Sequence, residues 1–273
     1  MKKKTVLVLV ILFLLHGQGI HAAANISYKI EMLPWEEVNQ VLPKYSKFTV
    51  LDLESGKKFK VQRRAGSSHA DVQPLTPNDT KIMKKVYGGK WSWKRRAIIV
   101  ISKDQWIAGS MHGMPHGAGA LKNNFPGHFC IHFYGSTTHR TGTMDLSHML
   151  MIYKASGKLE EYLSKTSPYE TVEAYIAGLK QQDVYISKLI SLQNIQWKTV
   201  LGKIENVRIT RMPILPSEDL KNEISMDIPV EIDWFIKNRG SQHFRGEIHL
   251  IRFSTMDAWK VDSESFLKEN NLK

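Results

Sequence analysis

The sequence predicts a mainly β N-terminal domain with short helices and a C-terminal α+β domain in which a helix packs on a curved antiparallel sheet. Three observations predict this. Short apolar runs separated by turn residues fill 46–135. Two helix-start signals, Thr76-Pro77-Asn78-Asp79 and Ser167-Pro168-Tyr169-Glu170, each pair a cap with an acidic residue three positions on. β-rich segments then follow at 196–212, 223–237, 243–253 and near Trp259. With 273 residues, 42% of them hydrophobic, the chain has room for two ordinary domains. We divide it into a leader (1–24), an N-terminal domain (25–155) and a C-terminal domain (156–273), with the junction at about 155–167.

The leader reads as a secretory signal. Lys2, Lys3 and Lys4 precede a short apolar run, Thr5 to Leu15, and Ala22-Ala23-Ala24 offers small residues for cleavage. No cysteine follows it to carry a lipid. The expected location is secreted or cell-wall associated, with membrane attachment only if the segment stays uncleaved. Loss of three lysines takes the formal charge from +12 to +9. A basic exported surface suits an anionic cell wall, and export argues against nucleic acid.

In the N-terminal part, 46–63 reads as a hairpin turning at Glu54-Ser55-Gly56. Thr76 caps a helix whose apolar face is Ile82, Met83 and Val86, ended by Gly88-Gly89. Arg95–Ser102 and Gln105–Gly113 read as strands, Gly113–Gly127 as a Gly/Pro/Asn-rich loop, and His128–Gly135 as a further strand. A helix runs from Asp145 to Tyr153, or on to Tyr162. No GxGxxG, Walker loop or CxxC pair occurs, and no cofactor is expected.

The chemistry concentrates in Gly127-His128-Phe129-Cys130-Ile131-His132-Phe133, which holds the single cysteine. On a strand, His128, Cys130 and His132 share one face, and Phe129, Ile131 and Phe133 share the core face. His112 ends a strand eighteen residues before Cys130. An imidazole beside a thiol favours a nucleophilic thiolate.

His112-Gly113, a loop, and Gly127-His128-Phe129-Cys130-Ile131-His132 resemble the catalytic motif of the L,D-transpeptidases (YkuD-type domain). Gly127, Phe129 and His132 stand where that family usually has Ser or Thr, Gly, and Asn or Arg. The resemblance covers about residues 45–150. It implies an L,D-transpeptidase-like sandwich and cysteine acyl transfer on peptidoglycan stem peptides, by crosslinking or carboxypeptidase-type trimming. It also implies Cys130 as nucleophile, His112 as base and His128 as support for the thiolate. Gly113, His116, Phe129, His132, His139 and Arg140 would border the substrate, with Phe129 near the oxyanion site.

Two other readings compete. Five histidines (69, 112, 116, 128 and 132) and Asp71 suffice for a zinc-dependent wall peptidase. HxxxH occurs at 112/116 and 128/132, although Gly113, Pro115, Gly117 and the β-rich run argue against the helices that spacing usually needs. Alternatively the chain is a non-catalytic peptidoglycan-binding module. His69 and Asp71 fall in a loop before the first helix, where the plainer reading is an exposed histidine and a turn carboxylate. His116 is most simply exposed, and His139 and Arg140 belong to a solvated loop or hold a stem-peptide carboxylate. Trp91 and Trp93 stack on substrate or, more simply, pack. His243 and His249 share a strand face directed at solvent or a dimer surface. The C-terminal topology resembles nuclear-transport-factor-2-like domains.

Overall fold

The computed structural model describes residues 29–138, 142–214, 220 and 222–273; the leader, His139 and Arg140 lie outside the described residues. Helices and strands are mixed throughout, and two sheets carry the fold.

The first sheet contains β1 (Ile30–Glu31), β2 (Lys47–Asp52), β3 (Lys58–Ala65), β4 (Ala70–Pro74), β5 (Arg96–Ser102), β6 (Gln105–Met111) and β7 (Phe129–His132). Its order is β1-β6-β5-β2-β3-β4-β7, and β7 also pairs with β6, so strands β2 to β7 close into a barrel. This is a closed sheet where two stacked sheets were expected. Period-2 alternation fills its interior: Phe48 and Val50, Phe59 and Val61, Ile98 and Val100, Phe129 and Ile131. Helix α1 (Trp35–Val41) adds Trp35 and Val38 to this core, and α2 (Pro77–Val86) adds Met83 and Val86. The expected capping box of α2 is present: Asp79 N–H donates to the Thr76 hydroxyl, and the Asp79 carboxylate accepts from Thr76 N–H.

Strand β5 is apolar on both faces because both are covered. Ala97 and Ile99 point outward into a second core, with Leu150, Met151 and Ile152 of α3 (Leu146–Ala155). The helix breaks at Ser156-Gly157, and a separate short α4 (Leu159–Leu163) follows. Helix α5 (Pro168–Gln181) starts at the expected Ser167/Glu170 capping box. Next come α6 (Val184–Ile190) and α7 (Trp197–Leu201). Residues 196–212 thus begin as helix rather than strand, since buried Trp197, Val200 and Leu201 follow helical spacing. The second sheet is antiparallel, in the order β11-β10-β9-β8, from β8 (Ile204–Arg211), β9 (Ser225–Ile236), β10 (Gly240–Ile251) and β11 (Lys260–Val261); α8 (Ser263–Glu269) closes the chain. Among the described residues, no helix is long and apolar enough to cross a membrane.

Candidate metal and thiol centre

Strand β7 lies between β4 and β6 and supplies the centre of the site. Register places Asp71 opposite Cys130, and His132 opposite Ser110. His69 precedes β4 by one residue, and His112 follows β6 by one. Phe129, Ile131 and Phe133 enter the barrel, so Cys130 and His132 point away from it, as the alternation required. Cys130 is nevertheless buried. The loop from 113 to 127 covers it, pinned by polar side chains. Gln73 donates to Gly127 O at 2.7 Å and accepts from Ala120 N–H at 2.9 Å, while Thr80 Oγ1 donates to Asn123 O at 2.7 Å. Gly127 has φ +120°, and a Cβ there would lie 2.5 Å from His116 O. This explains the glycine where Ser or Thr was the family expectation.

Several predicted residues have different surroundings from those expected. His69 and Asp71 are buried rather than exposed: Asp71 lies on β4, His69 in the bend just before it, and both side chains face the thiol cluster. His116 is half-buried, and its Nε2 is the imidazole nitrogen 3.3 Å from Cys130 Sγ. His112, the expected base, lies with His116 and Cys130 in a group whose ligand atoms are within 4.8 Å of one another. Phe129 does not line a substrate cleft; its ring packs in the barrel against Phe59 and Phe125. His132 is buried in a stack, 4.4 Å from the His69 ring and 3.8 Å from the His148 ring. Gly113 lies against the Tyr87 ring. Trp91 packs edge-on to Phe125, whereas Trp93 is half exposed and lies 4.7 Å from the His112 ring and 5.5 Å from the His116 ring.

Sequence reasoning missed His148. It sits on α3, capped by Asp145, and its Nδ1 meets Ser110 Oγ at 2.9 Å. Burial, then the nearby His132 and Arg95, hold its pKa well below the ordinary value, so it is neutral. The same applies to His112, lowered to about 2 by burial and then by the Arg95 cation and neighbouring imidazoles. His112 Nδ1 is buried with no hydrogen-bond partner among the described residues, an arrangement that costs about 1–3 kcal/mol.

Ring orientation carries the chemistry. His69 Nδ1 meets Thr137 O at 2.8 Å, His116 Nδ1 meets Met114 O at 3.1 Å, and His128 Nδ1 meets Ala118 O at 3.1 Å. A carbonyl only accepts, so each Nδ1 is the donor. A neutral ring held this way presents its lone pair at Nε2. His69 Nε2 lies 3.3 Å and His128 Nε2 3.8 Å from Asp71 Oδ1, and His116 Nε2 faces Cys130 Sγ. Cys130 Sγ–H in turn donates to Asp71 Oδ1 at 3.5 Å. Burial first, and then the Asp71 carboxylate, push the thiol pKa strongly up, which opposes a free thiolate. Ligand atoms bound tetrahedrally about 2.0–2.3 Å from zinc stand roughly 3.3–3.7 Å apart, close to these separations.

A surface hollow lined by Asn39, Lys44, Arg63 and Ser67 reaches Asp71 from outside. A broader hollow on the C-terminal sheet, between Arg211, Pro229, Arg245 and Glu269, contains no histidine or cysteine. Compared with protein-family models, curated proteins and solved structures, the chain matches none.

Proposed function

We propose that the chain is an exported, metal-dependent enzyme that cleaves an amide in peptidoglycan stem peptides, with Cys130 as a metal ligand. The observation that carries this reading is the orientation of His69, His116 and His128. Backbone carbonyls hold each Nδ1–H, and each Nε2 is aimed at Cys130 or Asp71. Lone pairs converging on a carboxylate and a sulfur call for a cation between them, and carbonyl-anchored imidazoles are the usual outer support of metal ligands. A set of thiolate, imidazole and carboxylate suits zinc. Such an ion supplies Lewis acidity and a nucleophilic water near neutral pH.

The protein's own part is to exclude solvent with the loop at 113–127, fix the imidazole tautomers, and admit substrate beside half-exposed Trp93. The wall substrate is supported by the leader, the net charge and the resemblance of His112-Gly113 and Gly127–His132 to L,D-transpeptidases. Within this reading the barrel is a divergent L,D-transpeptidase-like domain, and the C-terminal sheet with its helices is nuclear-transport-factor-2-like.

A second reading rests on the 3.3 Å contact between His116 Nε2 and Cys130 Sγ. There Cys130 attacks the acyl carbon, and His116, rather than His112, takes the thiol proton and returns it to the leaving amine. One pair of measurements separates the two. Elemental analysis of protein purified without added metal is expected to find bound zinc or a similar ion. Intact-mass spectrometry with a carbapenem is expected to find no adduct until the metal is stripped. A metal-free protein that gains one carbapenem adduct at Cys130 as isolated would overturn the metal reading and establish acyl transfer.

A further inference from the structure

We propose, building on the metal reading above, that the centre holds two divalent ions bridged by the Cys130 thiolate. Cys130 Sγ completes three separate triads: with His69 and His132, with His112 and His116, and with Asp71 and His128. Within each triad the ligand atoms lie within 4.8 Å of one another. The cluster therefore offers seven side chains, whereas one tetrahedral ion takes four ligands. Two tetrahedral ions sharing one sulfur need six further ligands, and six are present. A thiolate has lone pairs for both ions; its proton leaves to water as the first ion binds.

The two ions would have different surroundings. His69 and His132 are almost fully buried and stack in line with His148, away from solvent. An ion on that side is enclosed by protein, as structural sites are. His116 and His128 are only half-buried, and His112 and His116 lie under half-exposed Trp93. An ion on that side is the one that meets substrate, with exchange of one weak ligand for water or a carbonyl. Asp71 Oδ1, near both His69 and His128, stands between the two sides.

The test titrates Zn²⁺ into the metal-stripped, full-length folded chain and reads native mass spectra, with X-ray absorption at the zinc edge. The expected result is two zinc ions per chain, zinc–sulfur scattering, and a metal–metal distance of about 3.5–4 Å. His69→Ala and His116→Ala, each checked for folding by circular dichroism, are expected to retain one ion apiece. One ion in the unmutated chain, with zinc–sulfur scattering, would overturn the bridged pair but leave the metal centre standing. No tightly bound ion would overturn both.

Discussion

Histidine–aspartate pairs occur in both halves of the molecule, in opposite surroundings. On the C-terminal sheet His243 faces Asp233 and His249 faces Asp227, directly opposite in the β9–β10 register. These pairs lie at the surface, where water and salt screen them and each counts for little. In the barrel, Asp71 meets His69 and His128 beside Cys130, with His69 and Asp71 buried. There the carboxylate and imidazoles share a desolvated cluster with a thiol, the setting in which we propose a bound cation. The same two residue types form a solvated pair on an open sheet and, behind a barrel strand, part of the proposed ligand set.

The sharpest way to break this contrast is Cys130→Ala. Metal affinity is expected to fall at least a hundredfold, measured by competition with a chromogenic chelator, because the sulfur belongs to every triad. Retention of affinity within about threefold would place any bound ion elsewhere.

A smaller effect is expected for Asp71→Asn in the metal-stripped protein. The Asp71 charge and hydrogen bond both raise the thiol pKa, so neutralising that carboxylate lowers it. Iodoacetamide should then label Cys130 roughly tenfold faster at pH 8, through a larger thiolate fraction. Slower labelling would mean that Asp71 activates the thiol.

The pH dependence of the metal-free chain has a definite sign. His112 and His148 have folded pKa values below the unfolded value, so the unfolded chain binds their protons first. Their contribution is fully present above about pH 6.5 and is lost as pH falls below it, toward the folded value of about 2 for His112. Urea midpoints at pH 7.5, 6 and 5 should decline in that order, and less steeply in His148→Gln. A flat profile would show that these rings charge without cost.

The smallest effect is expected for His243→Gln combined with His249→Gln. Metal content and thermal midpoint should be unchanged, since both rings lie on the exposed sheet face. A loss of bound metal would erase the contrast drawn above.

Much of the barrel was legible from alternation. The hairpin β2–β3 and the outward face of Cys130 follow from period-2 patterning, and β5 and β6 from short apolar runs. Strand β4 was hidden although Ala-Asp-Val-Gln-Pro alternates apolar with polar residues, because the run is short, weakly apolar and follows the turn residues Gly66-Ser67-Ser68; both its faces are buried, Ala70 and Val72 in the barrel core and Asp71 and Gln73 among polar groups. The site was legible only around Cys130. His116 looked like a loop residue because its position depends on amide groups of Gln73 and on the bridge between His116 and His128. His148 sat within a helical pattern, with no local spacing to Cys130. Convergence through barrel closure is long-range, and no periodicity encodes it.

The closure has its own consequence. Strand β7 spans only four residues, yet it is the seam that turns the sheet into a barrel, and it carries both Cys130 and His132. Ions bound there, as proposed, would fasten β4 to β7 and β6, so chelation should unzip the barrel at that seam before the rest of the fold loosens. Amide hydrogens of β7 would exchange first after chelator is added, and a protease would find its opening there. The supply of ions would thus set how long the protein survives, as well as whether it works.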